Sequence, residues 1–169
     1  MSRGFTLIEL LISLALVSLL LLMYLPVSLA SYQKNQLQMM ENELSTAVRY
    51  VRNKALMTNR RLILTPLPNS RDWSKGMILF VDNKQHLYTK SDKLLHRWQW
   101  KSQGMRINWR GFLSNHYLLF ASDLKEAACS GHFDLVTQEG QHSILVVNRL
   151  GRIKQVASKM PLLVLSKTK

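Results

Sequence analysis

Glu9 is the one charged residue between Arg3 and Lys34, and it stands inside an otherwise apolar run. From Phe5 to Met23 the polar members are Thr6, Glu9, Ser13 and Ser18, and Tyr24, Leu25 and Val27 to Ala30 carry the run further, long enough to span a bilayer. A carboxylate at membrane depth costs about 2.5–3.5 kcal/mol even on insertion scales, so it needs a partner, and the complementary group is an amine. A second constellation lies at the other end. From Arg149 to Lys169 the chain holds Arg149, Arg152, Lys154, Lys159, Lys167 and Lys169, and no acid. Such side chains neutralise phosphates and release condensed counterions without reading any base. Gly151 lets the backbone turn sharply, Arg152 forks two hydrogen bonds onto phosphate oxygens, and Lys154 adds a point charge on the same strand face two residues later. The same pattern also suits a plain turn followed by an edge strand kept monomeric by its charge. Arg60, Arg61, Arg71, Lys75, Arg106 and Arg110 are candidates to extend a basic patch.

Other chemistry is poorly supported. Trp73, Trp98, Trp100 and Trp109 suggest base stacking, but Trp98 and Trp100 alternate with Arg97, Gln99 and Lys101, the signature of a half-buried strand. Cys129 and His132 are too few for a zinc site, and His86, His96, His116 and His142 show no ligand spacing. Cys129 is the only cysteine, so no intramolecular disulfide forms, and it reads as a buried or loop thiol. No nucleophile elbow, metalloprotease, Walker or dinucleotide motif occurs, and acids are sparse. The expectation is no enzyme, no catalytic residue, no metal and no cofactor.

These groups need elements to place them. With 169 residues there is room for one membrane helix and one modest globular domain. Lys and Arg total 23 against 10 acids, a formal net charge of +13, which favours an anionic partner such as nucleic acid or a lipid surface, or else a solvated basic face. After Pro26, Leu37, Met40, Leu44, Val48, Val51 and Ala55 recur every three or four residues, an amphipathic helix. Phe5 to about Asn59 therefore reads as one long helix with a kink allowed at Pro26: residues 5–30 as a transmembrane segment, residues 31–59 as the part that packs on a globular domain. Beyond it, short runs with regular turn signals predict strands near Arg61–Thr65, Met77–Val81, Leu87–Thr89, Leu94–Lys101, Arg106–Arg110, Tyr117–Ala121, His132–Val136, Ser143–Asn148 and Arg152–Val156, with hairpin turns at Asp82-Asn83 and Glu139-Gly140. The fold class is α+β, a long N-terminal helix followed by a β-rich domain over residues 60–169 with a basic C-terminal segment.

Met1-Ser2-Arg3-Gly4 followed by Phe5-Thr6-Leu7-Ile8-Glu9 and a long apolar helix resembles the signal of type IV pilins and type II secretion pseudopilins. An ordinary secretory signal fits less well, because the apolar segment is too long and no small-x-small site precedes a polar start. The resemblance implies a leader over residues 1–4, cleavage after Gly4 by a prepilin peptidase, methylation of the new terminus Phe5, and pairing of Glu9 with the Phe5 ammonium of a neighbouring subunit during filament assembly. Later blocks narrow it. Ala47 to Ala55, Trp73 to Asp82, Leu118-Leu119-Phe120, Gly131-His132-Phe133, Leu145 to Asn148 and Gly151-Arg152-Ile153-Lys154 together resemble the GspH/FimT domain of minor pilins. Trp109-Arg110-Gly111-Phe112 and the closing Gly-Arg segment lean toward the FimT-like pilus branch, in which a Gly-Arg-x-Arg motif carries DNA binding. Here Lys154 replaces the last Arg, keeping charge but losing the fork.

The resemblance thus implies a minor pilin of the inner membrane with a periplasmic domain. Its partners are the peptidase, other pilin subunits and, through the phosphate backbone at Arg149, Gly151, Arg152, Lys154 and Lys159, DNA of any sequence. The alternative is a structural pseudopilin of a type II secretion system that touches no DNA.

Overall fold

The computed structural model describes residues 6–68, 70, 72–100, 104–123 and 125–156, without the side chains of residues 23–30. The chain divides into two compact units, Met1–Gln36 and Leu37–Lys169. The helix α1, Leu7–Thr58, begins in the first and ends in the second.

In the first unit Thr6 opens α1. The Glu9 backbone N–H donates to the Thr6 carbonyl at 3.1 Å and to its Oγ1 at 3.4 Å, so Thr6-Leu7-Ile8-Glu9 carries the spacing of a capping box. The hydroxyls within the apolar run stay on their own helix: Ser13 donates to the Glu9 carbonyl and Ser18 to that of Ala15. Every side chain from Leu7 to Leu22 is exposed. Among the described residues no helix is long and apolar enough to cross a membrane.

The second unit is built on the face of α1 that the sequence marks. Leu37, Met40, Leu44, Val48, Val51 and Ala55 are all buried there. Asn59, at φ +49°, ends the helix in the left-handed conformation that asparagine tolerates. Two antiparallel four-stranded sheets share this core. The first has the order β3-β2-β1-β5, with β1 Leu62–Pro66, β2 Gly76–Val81, β3 Leu94–Gln99 and β5 Leu118–Phe120. The second has the order β4-β6-β7-β8, with β4 Arg106–Gly111, β6 Gly131–Val136, β7 His142–Val147 and β8 Ile153–Val156.

Alternation decides which side chains meet. Leu62 and Leu64, Met77 and Leu79, Ile107 and Trp109, Phe133 and Leu135, and Leu145 and Val147 join the helix in one cluster. The first sheet is buried on its other face too, where Ile63, Ile78, Phe80 and Leu119 pack with Tyr88, Tyr117 and Leu67. A strand covered on both faces reads as a continuous apolar run, as β1 does. The second sheet shows its outer face to solvent, so β4 alternates exposed Arg106, Asn108 and Arg110 with buried Ile107 and Trp109.

Eight of the nine expected strands are present within a few residues of their sequence bounds, and β3 ends at Gln99. Leu87–Thr89 is a loop. Asn83 Oδ1 accepts from the Gln85 and Leu87 N–H groups, its amide donates to the Leu87 carbonyl, and Asp92 accepts from the Thr89 N–H and hydroxyl. Side chains thus take the backbone groups a strand would pair. For the same reason Asp82-Asn83 starts a long connection between β2 and β3 instead of a tight hairpin. The other expected hairpin forms: Gly140, at φ +83°, donates to the Thr137 carbonyl between β6 and β7. Trp98 and Trp100 pack against the core, and Cys129 is buried and unpaired.

Candidate functional site

The turn between β7 and β8 is closed by its own side chain. Asn148 N–H donates to the Arg152 carbonyl at 3.0 Å, Gly151 N–H to the Asn148 carbonyl at 2.9 Å, and Arg152 N–H to Asn148 Oδ1 at 2.9 Å. Gly151 has φ +69° and is buried; a Cβ there would sit 3.2 Å from the Arg52 side chain and 3.3 Å from Phe120. The left-handed conformation favours glycine here, and an added Cβ would press on its neighbours by a few tenths of an ångström. Beneath the turn, the Cys129 thiol donates to the carbonyls of Asn148 and Arg149, and burial pushes its pKa up.

This turn comes up against the C-terminal end of α1. Arg49, Arg52, Asn53 and Leu56 from the helix and Leu150 to Ile153 from the hairpin line a groove of about 540 Å³. Arg49, Arg52 and Arg152 all line this groove, and no acidic residue is in its described lining. Arg152 is exposed, whereas Arg52 anchors by donating to the Ala121 carbonyl at 2.8 Å. Such a cluster can hold anionic oxygens by charge-assisted, bidentate hydrogen bonds.

The structure brings together some of the residues the sequence singles out and separates others. Gly151 and Arg152 lie in the groove. Arg149 lies outside it: its guanidinium donates to the Lys125 carbonyl at 3.0 Å, and it lines a different cavity with Phe112 and Leu113. Lys154 is exposed on β8 opposite Val146, on the outer face of the second sheet. Glu9 is in the first turn of α1, and Gly4, Phe5 and Lys159 lie outside the described residues. Among the candidates for extending the patch, Arg110 pairs with Asp134 at 3.3 Å and Arg61 with Asp82 at 3.0 Å. Arg60 and Arg61 share a cavity with Asp82, Asp123 and Glu126, so the surface there is mixed in sign. Arg71 lies outside the described residues. Among the described residues no group of three or more His, Cys, Asp or Glu could hold a metal ion.

Sequence reasoning missed Arg49 and Arg52 as members of the site. Their signal is a spacing of three on a helix, which puts both on one face beside buried Val48 and Val51. That spacing says nothing of the distant hairpin that meets them.

Residues 1–25 match the family model for the prokaryotic N-terminal methylation motif. In structure the chain is similar to the type IV minor pilin FimU of Pseudomonas aeruginosa. One crystal form gives a TM-score of 0.57 at 18% identity, covering 73% of this chain and 90% of that one. A second crystal form gives 0.52 at 18% identity, covering 70% and 91%. No curated protein sequence matches the chain. The chain therefore carries the methylation motif at its N-terminus, and its folded part has the α+β fold of that minor pilin.

Proposed function

We propose that this protein is a minor pilin of a type IV pilus: anchored by its apolar N-terminal helix in the inner membrane, cleaved after Gly4, methylated on Phe5, and then built into a filament. The observation that carries this reading is the coincidence, in one chain, of the methylation motif with the FimU-like fold. Exposed apolar side chains from Leu7 to Leu22 support it, because a surface of that kind needs lipid or other helices around it. Glu9 then has a defined task. Lipid or a helix bundle leaves its carboxylate without water, and the Phe5 ammonium of a neighbouring subunit offsets that cost. The special role we assign is sequence-independent contact with DNA during uptake, made by Arg49, Arg52 and Arg152 in the groove, with further charge from Lys154 on the outer sheet face and from Lys159. Arg149 contributes charge but already donates to a carbonyl.

A second reading, a structural pseudopilin of a type II secretion system without DNA contact, is favoured by one specific observation. Arg52 donates to Ala121 and lies against Gly151, as a purely structural arginine would.

Mass spectrometry of the protein recovered from assembled filaments tests the first reading. The mature N-terminus is expected at a methylated Phe5; an intact Met1, or cleavage near Ala30, overturns it.

A further inference from the structure

On the face of the first sheet turned away from α1 lies a cavity of about 490 Å³, within the range of small-molecule sites. In a chain of net charge +13, its described lining holds no Lys, Arg, Asp or Glu. It is walled instead by Tyr88, Tyr117, His86, His116, Asn115 and Gln85, over the apolar floor of Ile78.

His86 is the most informative of these. Its φ of +55° lies in the left-handed region, which histidine enters more readily than most residues with a side chain and which local contacts hold in place. Three contacts fix it. Its N–H donates to the Asn83 carbonyl at 3.1 Å, its Nδ1 meets Asp82 Oδ1 at 2.6 Å, and its ring lies 5.0 Å from that of Tyr117. Asp82 is itself held by Arg61 at 3.0 Å. With a proton on Nδ1 facing the carboxylate, Nε2 is the ring atom left for a ligand. Asn115 is arranged in the same way: its Oδ1 accepts from the Gly111 N–H at 3.1 Å, which turns the donor end of the amide over to other partners.

We propose that this cavity binds a neutral saccharide unit. The absence of charge in the described lining argues against phosphates, nucleotides and carboxylates, whose burial would need a cation beside them. Tyrosine faces carry negative quadrupoles that suit the C–H face of a sugar ring. Hydroxyls ask for donors and acceptors side by side, which Asn115, Gln85, His86 and the tyrosine hydroxyls supply. An extended peptide is less well served, because Pro66 and Pro68 in the wall offer no N–H for strand addition. This site is independent of the pilus reading and of the basic groove.

The test is an array of neutral oligosaccharides built on glucose, galactose, mannose and N-acetylglucosamine, probed with the full chain in a detergent lacking a sugar head group. Positive glycans are then titrated. At least one neutral glycan is expected to bind, with an affinity insensitive to salt. His86→Gly and the exposed Gln85→Ala are expected to weaken it about tenfold each, as loss of a ligand hydrogen bond implies, with the thermal transition of Gln85→Ala unchanged. No binding to any neutral glycan overturns the proposal. So does binding restricted to acidic glycans or proline-rich peptides, or affinity that both variants leave unchanged.

Discussion

On the proposed reading Glu9 serves two purposes that differ in size. In the first turn of α1 an acid faces the positive end of the helix dipole, worth about 0.3–1 kcal/mol. An unpaired carboxylate in a dry bundle costs several kcal/mol, so pairing dominates. Glu9→Ala is therefore expected to insert into the membrane at least as well as the parent, yet to enter filaments poorly; cell fractionation and filament shearing separate the two. Undiminished incorporation removes the pairing role. Cys129 is a residue whose chemistry is set by burial. Its thiol pKa is raised in the folded state, so the native protein holds the proton more tightly than the unfolded chain does. The stability this confers is fully present below the unfolded thiol's value of about 8.5 and is lost as pH rises from there through the folded value. Urea midpoints measured across that window are expected to fall less steeply for Cys129→Ala than for the parent, and equal slopes count against it.

At the scale of elements, the helix was readable because one periodicity did one job: Leu44, Val48 and Val51 recur at helical spacing and are fully buried in the same cluster. Leu44→Ala is expected to cost about 2–5 kcal/mol, read as a lower urea midpoint with little change in slope. A cost under 1 kcal/mol would mean that this face is not what the sheets pack on. The strands were legible where alternation or a continuous apolar run marked them, as in β4 and β1. Leu87–Thr89 misled because its residue types suit a strand while Asn83 and Asp92, several positions away, capture its backbone. The site was half legible. Gly151 and Arg152 announce a turn that carries a guanidinium, and α1 announces Arg49 and Arg52 on one face. Their meeting is a long-range pairing, and separation in sequence hides it. Lys154 shows the converse: two residues from Arg152 in sequence, it sits on a strand whose alternation turns it to the outer sheet face.

For the whole molecule the question is whether its charge acts as a diffuse field or at one place. A net charge of +13 alone attracts any polyanion, and binding of that kind would respond equally to the loss of any two cations. A groove that gathers Arg49, Arg52 and Arg152 would respond mainly to the loss of its own. Each phosphate contact on duplex DNA contributes about −0.9 to the slope of log affinity against log salt. Two pairs of substitutions remove the same charge from different places. Arg49→Gln with Arg152→Gln strips the groove and spares Arg52, which holds Ala121. Lys90→Gln with Lys93→Gln removes two of the exposed lysines in the loop between β2 and β3. In gel shifts across a salt series with the full chain in detergent, the groove pair is expected to flatten the slope by roughly 1.8 and to weaken binding to all sequences alike, while the loop pair leaves the slope within about 0.5 of the parent. Equal losses from both pairs would assign binding to the diffuse field and end the case for the groove. A parent chain that binds no DNA at low salt would favour the secretion pseudopilin reading, in which these arginines only hold the hairpin against the helix.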